Sequence, residues 1–251
     1  MKKVALVTGA SAGLGVDFAR QLSKRGHSLV LAARRKERLD ELARELGNAR
    51  AVAIDLSEKD SAARLVADVR AAGEQIEMLI NNAGFGLIGR FASLDAKRLR
   101  QMIDLNVGSL TDLCREVAPE MIARKSGAIL NVASTAAFQP GPGMAVYFAT
   151  KAYVLSFTEA LHEELKPHGI HVSCLCPGPT RTEFGAVAGF GGNGAVDRLA
   201  MTSPEVVEAG LAALDKNRAV VVPGVVNKIG AASTRFVPRP WVRKVAGAIK
   251  Y

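Results

Sequence analysis

Short apolar runs and stretches of helical period alternate along most of this chain. Val4–Thr8, Ser28–Ala32, Ala51–Ile54, Met78–Asn81, Ala128–Val132 and Val172–Cys176 are predicted strands, and Ala219–Val222 is a seventh. Between the first six lie segments of helical length, among them Arg35–Leu46, Ser61–Ala72, Leu94–Arg124 and Val146–Lys166. The strands are apolar throughout, a pattern that arises when both faces of a sheet are covered. Repeated strand–helix–strand units then call for a parallel sheet with right-handed crossovers and helices on both sides. The expected class is α/β: a doubly wound parallel sheet of about seven strands, which takes ligands at the carboxyl ends of its strands.

The 251 residues, 49% of them hydrophobic, suit one globular unit with a large core. No Pro/Ser-rich linker, charge block or fixed-period repeat interrupts them, so residues 1–251 are expected to form a single domain. Apolar runs such as Ala219–Val222 are far shorter than the roughly 20 residues of a membrane-spanning helix. The start, Lys2-Lys3-Val4-Ala5-Leu6-Val7, loses its apolar character at Thr8-Gly9 and reads as a first strand, not a secretory leader. Three cysteines, Cys114, Cys174 and Cys176, cannot all pair within one chain, and reduced thiols in a cytoplasmic protein are expected. Cys174 and Cys176, two apart on a strand, point to one face. The net charge of +9 is uneven: after Asp215 there are no acidic residues but eight basic ones.

Thr8-Gly9-Ala10-Ser11-Ala12-Gly13-Leu14-Gly15 joins the first strand to the first helix. Glycines there permit positive φ and let backbone N–H groups approach a pyrophosphate, where the helix N-terminus adds partial positive charge. A glycine-rich turn alone often only makes a turn; its place between strand and helix marks a Rossmann-type nucleotide site. The second strand runs into Ala33-Arg34-Arg35. An acidic residue there would bind the adenosine ribose hydroxyls of NAD, whereas arginine favours the 2′-phosphate of NADP. Arg34, with Arg35 as a second contact, therefore argues for NADP over NAD; otherwise both arginines merely solvate a helix start.

Tyr147 and Lys151 stand four apart on one helix face. Ser134 ends a strand thirteen residues earlier, and Asn106 lies on a long helical segment. Asp55-Leu56, Asn82-Ala83-Gly84 and Pro177-Gly178-Pro179-Thr180-Arg181-Thr182 each follow a strand end. With the Gly-x3-Gly-x-Gly spacing, this ordered set over roughly residues 3–225 resembles the single-domain branch of the short-chain dehydrogenases/reductases.

The resemblance implies hydride transfer between a nicotinamide dinucleotide and a carbonyl or alcohol carbon. Tyr147 would be the proton donor in reduction, Ser134 would hold the substrate oxygen, Lys151 would hold the nicotinamide ribose, and Asn106 would hold a water relaying protons to Lys151. Gly9, Ser11, Leu14 and Gly15 would cradle the pyrophosphate and adenosine ribose side. Asp55 and Leu56 would flank the adenine. Asn82, Ala83 and Gly84 would lie along the dinucleotide, and Pro177, Gly178, Thr180 and Thr182 would meet its nicotinamide end. A free tyrosine titrates near pH ~10, so ionising it near neutrality requires about 4 kcal/mol. An ammonium about 4 Å away supplies on the order of 4 kcal/mol at an effective dielectric of about 20, and Lys151 is the expected source.

Residues 183–217 are expected to cover the substrate, with Phe184, Val187, Phe190 and Val196 on a glycine-rich loop. Leu87, Ile88, Phe138 and Met144 would complete apolar walls, which suits a hydrophobic ketone or alcohol, a 3-oxoacyl thioester among them; otherwise these residues only pack the loop. Self-association into a dimer or tetramer is implied by the family, through Leu94–Arg124 and the Tyr147 helix. Residues 226–251 form a basic extension whose interleaved aromatics could meet a membrane surface or an acidic carrier protein, but which is expected to dock on its own domain or a neighbouring subunit. No recognition motif points to nucleic acid. His162-Glu163-Glu164 starts like a zinc-protease motif, but Lys166 stands where the second histidine is required, so no metal site is expected. Two rivals remain: a nucleotide-sensing protein of the same fold without turnover, which would not need Tyr147, and an enoyl reductase, whose tyrosine and lysine are usually seven apart.

Overall fold

The structure is a computed structural model and describes residues 1–183 and 200–248. Seven strands form one parallel sheet in the order β3-β2-β1-β4-β5-β6-β9. They are β1 (Lys2–Thr8), β2 (Ser28–Ala33), β3 (Ala49–Ala53), β4 (Glu74–Asn81), β5 (Gly127–Val132), β6 (Ile170–Leu175) and β9 (Val220–Val221). A separate two-stranded parallel pair, β7 (Thr180–Arg181) with β8 (Met201–Thr202), was not expected from the sequence. The fold is the Rossmann-type α/β sandwich that the alternation of elements predicts.

Alternating residues of each strand feed two cores, as a period of two requires. Ala5 and Val7 pack with Phe18 and Leu22 of α1 (Leu14–Lys24), Leu39 of α2 (Lys36–Leu46) and Leu211 of α7 (Ser203–Asp215). Val4 and Leu6 face the other way, toward Leu65 of α3 (Ser61–Ala71), Val117 of α5 (Leu110–Arg124) and Val154 of α6 (Ala145–Leu165). Local chemistry sets the helix ends. Gly47 closes α2 at φ 72, a left-handed conformation that glycine adopts without strain. Thr202 and Glu205 form a capping box at the start of α7.

Some boundaries differ from the expectation. The strand predicted at Ala51–Ile54 begins at Ala49, and Ile54 lies past its end, donating its N–H to Ala33 O at 2.9 Å. The predicted helix Leu94–Arg124 is not continuous. A short 3-10 turn at Phe91–Ser93 precedes α4 (Ala96–Ile103), whose N-cap Asp95 accepts from Arg98 N at 2.7 Å. Asp104–Ser109 then winds as a π-helical turn before α5. The residues that follow Val222 form two further helices, α8 (Val225–Ser233) and α9 (Arg239–Ala248).

Candidate active site

The carboxyl ends of β1, β4, β5 and β6 face one edge of the sheet, next to the point where strand order reverses beside β1. The glycine loop sits there. Gly9 has φ 66, and a Cβ on it would lie 2.8 Å from Asn82 Nδ2 and 2.9 Å from Ala83 Cα. A Cβ on Gly15 would lie 2.2 Å from Gly9 O, so any side chain would push α1 off its seat. Gly13 is the N-cap of α1, with no side chain capping it. The loop is pinned to β4 through Thr8, a residue the sequence reasoning missed. Its hydroxyl accepts from Asn82 N and Ala83 N, each at 3.1 Å, while Asn82 Nδ2 donates to Thr8 O at 2.9 Å. Thr182 closes the loop from the far side, its Cβ 3.1 Å from where a Gly13 side chain would start.

Around the end of β2 the charges are more elaborate than expected. Arg34 is 73% exposed and lies 3.8 Å from Asp55. Asp55 accepts from Ser57 N and Oγ at 2.9 and 2.7 Å, a side-chain turn that holds its carboxylate in place, and Leu56 is buried in the core. Arg35 donates to Ser11 O at 3.0 Å and to Ser11 Oγ at 3.2 Å. Arg35 also pairs with Glu183, 148 residues along the chain. Arg38 donates to the other oxygen of Glu183 at 2.7 Å. These two guanidiniums, Arg38 first, hold the Glu183 carboxyl below its ordinary range. Arg38 and Glu183 were both missed. Arg38 is one turn from Arg35 and could have been found; the partner far along the chain left no local signal.

The four candidate catalytic residues converge at the β5–β6 end of the same edge. Ser134 follows β5, and its Oγ accepts from Ala136 N at 3.1 Å and donates to Pro177 O at 3.4 Å. Thr135 N donates to the same carbonyl at 2.8 Å, which seats the Pro177-Gly178 turn on the β5 end. Thr180 Oγ1 closes that turn onto Gly178 O at 2.9 Å. Tyr147 and Lys151, on α6, are both buried, and the Lys151 Nζ lies 5.8 Å from the Tyr147 ring centre. Lys151 donates to Val132 O at 2.8 Å. The π-helical turn carries Asn106, which reads Phe85 through both ends of its amide at 2.9 and 3.1 Å and donates to Thr150 Oγ1 at 3.2 Å. Thr150 donates to Tyr147 O at 2.7 Å. Thr150 thus links Asn106 to the Tyr147 turn; it stands inside the Tyr-x3-Lys stretch and was overlooked. Gly84 closes the group: a Cβ there would sit 3.0 Å from Asn106 Oδ1 and 3.6 Å from Lys151 Nζ.

The electrostatics differ from the simple expectation that an ammonium pulls the phenol down. Burial pushes Tyr147 up to about 12, against a hydrogen bond with Ser134 that lowers it. Burial also brings Lys151 down to about 8, opposed by the nearby Cys174 and Cys176. Those two sulfurs, from Cys174 on β6 and Cys176 one residue past its end, are 3.7 Å apart on the same side, as predicted, buried and not joined as a disulfide. Desolvation is the largest cause in both cases, because burial penalises the phenolate of Tyr147 and the ammonium of Lys151 alike.

Apolar side chains wall this end. Met144, Tyr147 and Phe148 cluster with Met102, and Leu87 and Ile88 pack against them. Phe138 packs instead on the core between the sheet and α6. Phe184, Val187, Phe190 and Val196 lie outside the described residues. Two of the four histidines take structural contacts: His162 Nδ1 is 2.7 Å from Val172 O and His171 Nδ1 is 3.0 Å from Leu214 O. No cluster of three potential metal ligands occurs among the described residues, and no described helix is long and apolar enough to cross a membrane.

A family model for short chain dehydrogenases matches residues 3–189. The chain belongs to that family and is an oxidoreductase. It is similar to sulfoacetaldehyde reductase 2 of Chromohalobacter salexigens, with 35% identity over 204 residues, 79% of this chain and 81% of that protein. Its fold matches a short-chain dehydrogenase from Sphingobium yanoikuyae solved in complex with NADPH, with TM-score 0.82 and 35% identity over 100% of both chains. It also matches the bulky-bulky ketone specific alcohol dehydrogenase from Comamonas testosteroni, with TM-score 0.78 and 32% identity over 94% of this chain and 93% of that one.

Proposed function

We propose that this protein is an NADP-dependent carbonyl reductase or alcohol dehydrogenase acting on a hydrophobic substrate. The observation that carries the reading is the buried phenol of Tyr147, hydrogen-bonded to Ser134 and with Lys151 Nζ 5.8 Å from its ring centre, at the carboxyl edge of the sheet. Reduction of a carbonyl requires a proton donor and a group that holds the carbonyl oxygen. Tyr147 has the proton near neutral pH, and Ser134 has the hydroxyl. Lys151 and Asn106 complete the set in the proposed roles of ribose anchor and proton relay.

The residues present fit a phosphorylated dinucleotide. Glycines leave the N-terminus of α1 open, where an anion is favoured. An anion, the Glu183 carboxylate, already bridges Arg35 and Arg38, and Arg34 stands exposed beside them. Gly9, Ser11, Leu14 and Gly15 would hold the pyrophosphate side, Asp55 and Leu56 the adenine, Asn82, Ala83 and Gly84 the middle, and Pro177, Gly178, Thr180 and Thr182 the nicotinamide end. When bound, the dinucleotide supplies the hydride. The binding of NADPH by the Sphingobium yanoikuyae relative supports the same choice here.

The apolar wall of Leu87, Ile88 and Met144 favours a bulky ketone over a small charged aldehyde. Loss of NADPH absorbance, followed over a panel holding an aryl ketone, a 3-oxoacyl thioester and sulfoacetaldehyde, tests this. The expected result is turnover of the bulky ketones, abolished in Tyr147→Phe while NADPH still binds. Unchanged turnover in Tyr147→Phe would remove the phenol from the reaction, and selective turnover of sulfoacetaldehyde would remove the hydrophobic substrate.

A further inference from the structure

Ten large hydrophobic side chains are exposed among the described residues, and seven of them fall between residues 225 and 245. Val225, Val226 and Ile229 stand out from α8, Phe236 from the turn that follows, and Trp241 and Val245 from α9. This is not scattered surface. Trp241 and Val245 are one turn apart on α9, while Val242 and Ala246, one position later in each turn, are buried against the domain. The helix is therefore docked by one stripe and presents a second apolar stripe outward. An exposed apolar stripe on a docked helix, with further exposed apolar side chains on the preceding helix and turn, marks an interaction face.

The charges say what it meets. Lys228, Arg235, Arg239, Arg243 and Lys244 are all exposed within the same span, and no acidic residue follows Asp215. Lys244 Nζ lies 5.8 Å from the Trp241 ring centre, so cation and indole share one place. A second copy of the chain docking by this face would set cations against cations with no carboxylate among them, since a two-fold interface pairs a patch with itself. An anionic bilayer answers both features: headgroups take the cations, and the indole, phenyl and aliphatic side chains enter the interface.

The position is also informative. The Asn227 side chain packs where a Cβ on Gly178 would lie, within 2.4 Å, and Gly247 sits with 3.5 Å between its would-be Cβ and Pro142. Gly178 follows β6 and Pro142 lies between Ser134 and Tyr147, so both helices lie against segments that carry candidate site residues. We infer that α8, α9 and the turn between them form an interfacial docking surface for an anionic lipid bilayer.

Trp241 is the only tryptophan of the chain, so its fluorescence reports this face alone. The full-length protein is titrated with vesicles of phosphatidylcholine, and with vesicles in which about a third of the lipid is phosphatidylglycerol. The expected result is a blue shift of Trp241 emission and quenching by brominated acyl chains, with at least about tenfold tighter binding to the anionic vesicles, weakened by salt. Ile229→Ser with Phe236→Ser should reduce partitioning by about tenfold or more. Arg239→Gln with Arg243→Gln should remove the preference for anionic lipid. Both variants change exposed positions and should unfold at the temperature of the parent protein. Emission unchanged by anionic vesicles, or equal binding to both vesicle types, would overturn the inference. So would a sedimentation mass that falls in the Ile229→Ser/Phe236→Ser variant without vesicle binding by the parent, which would make the face a contact between copies.

Discussion

Lys151 shows how one residue serves a site at the expense of the fold. Burial lowers it from 10.5 to about 8, so below pH 8 the folded chain holds an ammonium where water would hold it better. A shift of that size is a destabilisation of about 3 kcal/mol. The sign follows from proton counts. Between about 8 and 10.5 the unfolded chain binds more protons at this position than the folded one, so stability rises with pH across that window. In the protein without nucleotide, Lys151→Met should melt higher than the parent at pH 7, and the gap should close as pH rises through 8 toward 10. Parallel melting curves across that range would show that burial does not govern this lysine. At the opposite end of the cleft, Arg34→Asp should reverse the nucleotide preference. A charge-assisted hydrogen bond contributes about 1.5–3 kcal/mol, so the ratio of kcat/KM for NADPH over NADH should fall by about ten- to a hundredfold. An unchanged ratio would assign the phosphate to Arg35 and Arg38 instead.

At the scale of elements, the glycine loop and α1 act as one piece. A Cβ on Gly15 would meet Gly9 O at 2.2 Å and Asn82 Nδ2 at 2.8 Å, both fixed by β1 and β4. Gly15→Ala should therefore weaken NADPH binding by at least about tenfold and lower the melting temperature together, because the methyl group displaces the helix start and not the ligand alone. Calorimetric titration and thermal unfolding check the pair; binding at parental strength would mean that the helix can shift without cost. The π-helical turn at Asp104–Ser109 is the element least legible in the sequence. Apolar period suggested one helix over Leu94–Arg124, and nothing in the residues announces where an extra residue enters the turn. The contacts of Asn106 with Phe85 and Thr150 accompany it, and such turns often mark functional positions. The two-residue strands Thr180–Arg181 and Met201–Thr202 were invisible for a related reason: they pair across a long connection and have too few residues to show a period.

For the whole molecule, two apolar cores clamp one parallel sheet, and this leaves the carboxyl edge as the place where polar side chains collect. The ordered motifs were readable because each follows a strand, and a doubly wound sheet brings all strand ends of that sense to one rim. The basic extension was readable as cations interleaved with aromatics, but not as a particular packing. That it carries two helices, buries Val242 and Ala246, and turns Trp241, Phe236 and Ile229 outward needed the packed structure.

The alternation of periods and the turn chemistry determined the α/β sandwich and the strand that leads into each motif, because both are local properties of a chain; the candidate group Asn106, Ser134, Tyr147 and Lys151 followed from the resemblance of those ordered motifs to a known family. The tertiary structure decided the rest. Glu183 meets Arg35 and Arg38 across more than a hundred residues, Thr8 ties the glycine loop to β4, and the phenol of Tyr147 is pushed up instead of down. Pairing between distant residues and the removal of water from a buried group are consequences of packing, and packing exists only once the chain has closed on itself.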